Sequence, residues 1–314
     1  MCVDILETLN AGLPHGLAVE LTVYDADPDQ LSACAYQWLT DGVRRLVGSG
    51  VLREGGRERT SGKGFTRVPS LKPHGDFIRW SYVSVAPRDT FDVLYNPYTT
   101  DALPWLRGII DGRPESVSVE SGEFLGGEIG DSDITVSVTF EEELPEYVKL
   151  VVHLDETELL DLETARSVQD RLLESVRWAC EQYNVVFGHV SYKHAQGMTE
   201  LERFLRGEAG DPIANTPRWR SQLRGYSWLM VISADIAATL GGPEDLRGSR
   251  AFHSVDVLPN GSLLLQATPT FREYRGPAVQ DVHRAVRDVL VTGDFRSLPP
   301  IPGVPPADMV VLPD

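Results

Sequence analysis

Two stretches of the chain, SVSVESGEFL at Ser116–Leu125 and SDITVSVTFEE at Ser132–Glu142, decide the fold class. Apolar and polar residues alternate along both, so each strand would bury one face and leave the other in contact with water. Such alternation is typical of an antiparallel sheet, because the strands of a parallel sheet are usually buried on both faces. The sequence therefore predicts an α+β fold with mixed, largely antiparallel sheets and packed helices.

A strand followed by a helix lies on either side of these stretches. AVELTVYDA at Ala18–Ala26 predicts a strand, and Asp27 followed by Pro28 predicts the start of a helix. YVKLVVHLD at Tyr147–Asp155 predicts a second strand, which is followed by a helical pattern and by a third strand at Val185–Tyr192. The repeated order suggests two related strand-helix halves.

The last third of the chain carries turn and cap signals. GYSWLMVIS at Gly225–Ser233 predicts a strand, and Ser233 can cap the helix that follows it. Gly241 can end that helix in the left-handed conformation. The PNG sequence between AFHSVDVL and SLLLQATPT predicts a hairpin, and a last helix follows.

The predicted organisation has three parts. Residues 1–145 form an N-terminal α+β half with the acidic strands, residues 146–296 form a C-terminal α+β half, and residues 297–314 form a proline-rich tail. Whether the two halves share one sheet stays open. Residues 50–76, which are basic and rich in Gly and Ser, predict an exposed loop, and Trp219 in PRWRS is expected to be exposed.

The bulk composition is that of an ordinary globular protein. The chain has 314 residues, 42% of them hydrophobic, and no apolar run of the roughly 18 residues that a membrane span needs. Asp4 and Glu7 near the N-terminus give the wrong charge order for a secretion signal. Cys2, Cys34 and Cys180 are too scattered for a CxxC motif or a disulfide framework. A cytoplasmic location is expected.

Negative charge is concentrated in one region. The formal net charge is -17, and residues 115–163 contain 15 Asp or Glu and a single base, Lys149, which gives that region a net -14. Such a charge disfavours nucleic acid and anionic membrane surfaces as partners, since both need clustered Lys and Arg. It favours a basic protein as the partner.

The densest part of this region is TFEEELPEY at Thr139–Tyr147. Paired carboxylates can act as acid and base when burial raises the pKa of one of them. Glu141–Glu143, however, follow a strand at a polar end that is easily hydrated, so catalysis is not expected. Two interpretations remain, a solvated face without a specific role and a binding face for a basic partner. Because like charges repel and weaken folding, a specific role would offset that cost.

A metal-dependent enzyme is an alternative. HLD places His153 and Asp155 on one face of a strand, a spacing found in sites that bind iron through two histidines and one carboxylate. The candidates for the second histidine are His189, His194, His253 and His283. The sequence contains no HExxH motif and no cluster of Cys and His, so neither a metal nor another cofactor is expected.

The C-terminal unit resembles a known family. RGYSWLMVIS at Arg224–Ser233, LGGPEDLR at Leu240–Arg247, AFHSVDVLPNGSLLLQAT at Ala251–Thr268 and the late helix resemble the C-terminal part of the type VI and related polymorphic-toxin immunity proteins of bacteria. In that family a Gly-aromatic-x-Trp-Leu strand, a helix ending in Leu-Gly-Gly and a hairpin with a glycine turn occur in this order. The resemblance covers approximately residues 224–290.

This resemblance implies a cytoplasmic protein without catalytic activity that binds and neutralises a cognate toxin. An acidic inhibitor is complementary in charge to a basic toxin such as a nuclease. The candidate residues for binding this partner are Glu128, Asp131, Asp133, Glu141, Glu142, Glu143 and Glu146. A housekeeping interaction module is a further alternative, and the sequence leaves the oligomeric state open.

Overall fold

The computed structural model describes residues 16–54, 79–125, 128–129, 131–159, 161–193, 197–297 and 309–312. Within these ranges eleven strands form one sheet, and each pair of neighbouring strands is antiparallel. The strands are β1 (Leu17–Tyr24), β2 (Arg79–Ala86), β3 (Leu94–Pro97), β4 (Ser116–Leu125), β5 (Glu128–Ile129), β6 (Ile134–Thr139), β7 (Tyr147–Leu154), β8 (Val185–Tyr192), β9 (Leu229–Ile232), β10 (Ser254–Val257) and β11 (Leu263–Gln266). The predicted α+β class is confirmed.

Helices connect and cover these strands. The α-helices in the described ranges are α1 (Pro28–Gln37), α2 (Val43–Val47), α3 (Leu103–Asp111), α4 (Leu162–Gln182), α5 (Glu200–Phe204), α6 (Pro212–Asn215), α7 (Ala234–Thr239), α8 (Gly242–Gly248) and α9 (Pro277–Val286). A wider π-helical segment, Trp38–Gly42, joins α1 to α2. The predicted caps are present: Asp27 accepts from the Asp29 backbone amide and Ser233 from that of Ile236. Gly241 is left-handed, with φ of 87°.

The two halves of the sequence share one sheet. Its strand order is β10-β11-β9-β8-β1-β7-β6-β4-β2-β3, with β5 paired to β4. The N-terminal strand β1 therefore lies between β7 and β8 of the C-terminal half. The expected boundary between residues 145 and 146 falls in the connection between β6 and β7, which pair with each other.

One face of the sheet forms the main core. Leu17, Val19 and Leu21 on β1 pair in register with Leu154, Val152 and Leu150 on β7, and all six side chains are buried. Leu31 of α1 and Leu172 of α4 belong to the same buried cluster. Fully burying such an aliphatic side chain stabilises the fold by roughly 2 kcal/mol. The helices thus pack against this face of the sheet and cover it.

The other face of the central strands carries polar side chains. Glu20 on β1 points to that face and is 3% exposed. Arg224, which lies just before β9, donates to Glu20 at 2.7 Å and to Glu202 at 3.0 Å. Glu202 also completes a capping box with Thr199 at the start of α5. This buried ion cluster attaches α5 and the chain before β9 to the middle of the sheet.

Parts of two predicted segments lie outside the described residues. These are most of the loop at residues 50–76 and most of the tail at residues 297–314. In the tail, residues 309–312 are described: Met309 and Val310 are buried, and the Val311 backbone amide donates to the Tyr226 hydroxyl at 2.6 Å.

Across the described helices, none combines the length and apolar character that a membrane crossing requires.

Candidate interaction surface

The seven candidate residues divide between the two ends of strand β6. Glu128, Asp131 and Asp133 lie in β5 and in the connections that lead from β4 to β6. Glu141, Glu142, Glu143 and Glu146 lie in the connection from β6 to β7. Strand β6 has six residues, which at about 3.4 Å per residue separates the two groups by roughly 20 Å. The sheet therefore does not bring the seven carboxylates together on one continuous face.

The first group is partly neutralised. The Asp133 carboxylate forms an ion pair with Arg79, whose guanidinium also lies 3.8 Å from the Glu123 carboxylate. Burial raises the pKa of Asp133 to about 6, although Arg79 acts in the opposite direction. Asp131 is exposed. Since Asp133 is engaged with a neighbouring base, this end of β6 offers less negative charge to a partner than the sequence indicates.

The second group sits on a loop whose backbone is braced from several sides. We call residues 140–146 the acidic loop. Phe140 at its start is 1% exposed and Leu144 in its middle is 7% exposed. Arg88 donates to the Phe140 carbonyl and Arg113 to the Pro145 carbonyl, and the Arg113 guanidinium lies 5.2 Å from the centre of the Phe140 ring. These contacts fix the path of the loop.

Most of the carboxylates on the acidic loop remain exposed. Glu141 is the exception, because its carboxylate lies 2.9 Å from the Lys149 ammonium, which is buried on β7. Glu142, Glu143 and Glu146 are exposed, and none of the three has an ion pair with another residue in the described ranges. The arginines that approach the loop use their guanidinium groups on backbone carbonyls and so leave these three charges available.

The connection between β1 and α1 adds further carboxylates beside the acidic loop. The Asp25 backbone amide donates to the Glu146 carbonyl at 3.0 Å, which fixes the two connections next to each other. Asp27 and Asp29 follow in the same connection and at the start of α1, and both are exposed. The connection from β2 to β3, residues 87–93, follows the same end of the sheet's strands. We call these three segments, the acidic loop, residues 25–29 and residues 87–93, the acidic end.

A small aromatic cluster lies at the acidic end. The Tyr24 ring lies 5.2 Å from that of Tyr147 and 5.9 Å from that of Trp219, measured between ring centres. Trp219 was expected to be exposed, and this expectation is wrong: the side chain is half-buried because it packs against Tyr24. The Arg220 guanidinium lies 4.0 Å from the centre of the Trp219 ring. Half-buried Tyr and Trp beside charged residues are typical of protein interfaces.

Among the described residues, those of the alternative metal site do not form a ligand group. No set of three or more His, Cys, Asp or Glu side chains that could hold a metal ion occurs within the described ranges. Asp155 lies just beyond the end of β7 and is exposed, whereas His153 is half-buried. Burial lowers the pKa of His153 to about 4, and the nearby Lys193 ammonium adds to that shift. His194, one of the candidate second histidines, lies outside the described residues.

Two residues that fix the acidic loop, Arg88 and Arg113, were not predicted from the sequence. Arg88 contacts a carbonyl 52 residues away and Arg113 one 32 residues away, and no local pattern signals such contacts. In the buried ion cluster, which lies away from this surface, Thr199 and Glu202 do have a signal, because a Thr with a Glu three residues later is the pattern of a capping box. That pattern predicts the start of α5 but not the contact of Glu202 with Arg224.

Comparisons with protein-family models find no match to this chain, and comparisons with curated proteins find none either. Among solved structures, the chain has a weak likeness to the Pseudomonas aeruginosa T6SS protein PA0821, with a TM-score of 0.46 and 9% sequence identity. The alignment covers 88% of this chain and 74% of that one.

Proposed function

We propose that the chain is an immunity-type protein that binds a basic cognate toxin, such as a nuclease, at the acidic end and neutralises it without catalysis. The observation that carries this proposal is the state of the acidic loop. Its backbone is braced by Arg88 and Arg113, while Glu142, Glu143 and Glu146 stay exposed. The resemblance of residues 224–290 to toxin-immunity proteins, which concerns a different part of the chain, supports the same class of function.

The physics of association favours such an arrangement. A loop whose backbone is already fixed loses little backbone entropy when a partner binds, so more of the interaction energy of its carboxylates contributes to affinity. Exposed negative charge also attracts a basic partner at a distance and raises its association rate, an effect that falls as salt screens the charges. The half-buried Tyr24 and Trp219 beside the loop provide apolar area that a purely electrostatic contact lacks.

The first step of the test is to identify the partner. The full chain is immobilised, and the protein that it retains from an extract of its source cells at low salt is identified by mass spectrometry and purified. Inhibition is then measured by producing that protein in a host with and without this chain. The proposal expects the protein to be basic, to arrest growth alone, and to lose this effect when the chain is present.

Charge reversal then tests the acidic end. The double substitution E142K/E143K is expected to lower the association rate with the purified partner by about tenfold or more at low salt, with a smaller difference at high salt. Glu141 is left unchanged because its removal would leave the buried Lys149 without its counter-ion. The matched control is D170K/E174K on the exposed side of α4, which makes the same change in net charge. Equal association rates for the two double variants would exclude the acidic end as the binding surface.

A further inference from the structure

The connection from β2 to β3 carries the most exposed large apolar side chain in the described ranges. Phe91 has a relative exposure of 107%, compared with 57% for Val257 and 40% for Leu312. A fully exposed phenylalanine leaves its whole ring in water, although isolated exposed apolar residues are common on protein surfaces. Exposure alone therefore does not give Phe91 a role.

Phe91 lies in the turn that joins β2 to β3. Strands β2 and β3 pair on either side of it, from Tyr82 opposite Pro97 to Val85 opposite Leu94. Within the turn, the Asp92 backbone amide donates to the Thr90 hydroxyl at 3.0 Å. Because strand pairing fixes both ends of the turn, its backbone loses less entropy than that of an open loop when a partner binds.

Arg88 connects this turn to the acidic loop. Its guanidinium donates to the Arg113 carbonyl at 3.0 Å and to the carbonyl of Phe140, the first residue of the acidic loop. Strand β2 is separated from β6 by β4 alone. Two strand spacings amount to roughly 10 Å, so the turn and the acidic loop are close enough for one partner to cover both.

The surroundings of Phe91 are acidic. Asp89 and Asp92 lie on either side of it in the turn, and both are exposed. An aromatic ring between carboxylates is complementary to an apolar pocket bordered by Lys or Arg. It is a poor match for the acidic end of a second copy of this chain, or for anionic lipid headgroups, because like charges repel.

We infer that Phe91 is an anchor that inserts into an apolar pocket with a basic rim on the protein partner. This inference rests on the proposed function, since it places the same partner on the acidic end and adds the feature that the partner must offer. The acidic loop sets the association rate of the partner, whereas Phe91 sets its dissociation rate. The two contributions can therefore be measured separately.

The experiment uses the purified partner identified as described above and three variants of the full chain. F91A is expected to weaken binding by about tenfold or more, mainly through faster dissociation, with the salt dependence of association unchanged. F91L keeps an apolar side chain and is expected to retain most of the affinity. V257A removes an exposed apolar side chain from β10, at the far edge of the sheet, and serves as the control. Because Phe91 is fully exposed, thermal unfolding of F91A should match that of the unchanged chain.

The possible outcomes separate this inference from the proposed function. If F91A binds within about twofold of the unchanged chain while E142K/E143K slows association, Phe91 is not an anchor and the proposed function stands. If the chain retains no basic protein, both fail. If F91A alters the sedimentation of the chain alone, or its binding to phosphatidylglycerol vesicles, then Phe91 contacts a second copy or a membrane and the inference is overturned.

Discussion

Arg224 donates hydrogen bonds to two carboxylates, Glu20 at 2.7 Å and Glu202 at 3.0 Å, and the exposed fraction of each of the three side chains is below 5%. Burial alone would raise the pKa of Glu20, but Arg224 reverses the effect and the pKa of Glu20 is lowered. Burial alone would lower the pKa of Arg224, but Glu202 and Glu20 outweigh that effect and raise it. The cluster joins β1 to a part of the chain 204 residues later.

Removing Arg224 should therefore be strongly destabilising. R224M leaves Glu20 and Glu202 buried without a counter-ion, and breaking a buried pair in this way costs about 3–5 kcal/mol. The free energy of unfolding in urea measures this, with R220M as the control because the Arg220 side chain is 64% exposed. A loss of less than about 1 kcal/mol for R224M would mean that water or a proton compensates the two carboxylates.

The Lys149–Glu141 ion pair is expected to matter for stability more than for binding. E141Q removes the counter-ion of an ammonium group that is 6% exposed. We expect the free energy of unfolding to fall by about 1–2 kcal/mol. The lower value is favoured because the Glu141 side chain is itself 23% exposed. E142Q, one residue later on the exposed side of the acidic loop, should change stability by less than about 0.5 kcal/mol. Equal unfolding midpoints for the two variants would show that Lys149 does not depend on Glu141.

His153 should make stability depend on pH. Its pKa is about 4 in the folded chain, below its ordinary value of 6.5, because of burial and of Lys193, while Glu20 opposes the shift. The unfolded chain therefore binds more protons between these two values. This contribution to stability is complete above pH 6.5 and is lost as the pH falls towards 4, by about 3 kcal/mol at most.

Replacing the histidine tests this expectation. H153Q should flatten the dependence of the unfolding free energy on pH between 4 and 6.5, relative to the unchanged chain. The control is H253Q, which replaces an exposed histidine, and the slope of H153Q is compared with the slope of this variant as well. If the slopes of the unchanged chain and H153Q coincide, His153 takes up a proton in the folded state as easily as in the unfolded one.

Gly122 on β4 allows a close approach that a larger residue would prevent. A Cβ atom there would lie 2.3 Å from the Asp131 carbonyl oxygen and 2.6 Å from the Trp80 ring, so G122A should cost about 1–3 kcal/mol through overpacking. At Gly108 on α3 a Cβ atom meets nothing within 4 Å, and G108A should stabilise the helix by roughly 0.5–1 kcal/mol. Thermal unfolding of the two variants should shift in opposite directions; a shift in the same direction would contradict the contacts at Gly122.

The elements themselves were largely predictable, because the signals that define them are local. Strands β4 and β8 occupy the residues that alternation and apolar runs indicated, Ser116–Leu125 and Val185–Tyr192. The cap at Asp27 depends on residues at most two positions apart. The candidate surface was less predictable, since Trp219 is half-buried through a contact with Tyr24, nearly two hundred residues earlier in the chain.

The sequence by itself determined the fold class, the positions of several strands, the start of the first helix, and the concentration of 15 carboxylates in residues 115–163. These properties follow from side-chain periodicity, capping and composition, each of which acts over a few neighbouring residues. The tertiary structure alone decided that β1 lies between β7 and β8 and that the acidic residues separate to opposite ends of β6. It also decided which carboxylates are paired, because strand pairing and contacts such as Arg88 with Phe140 join residues far apart in the chain.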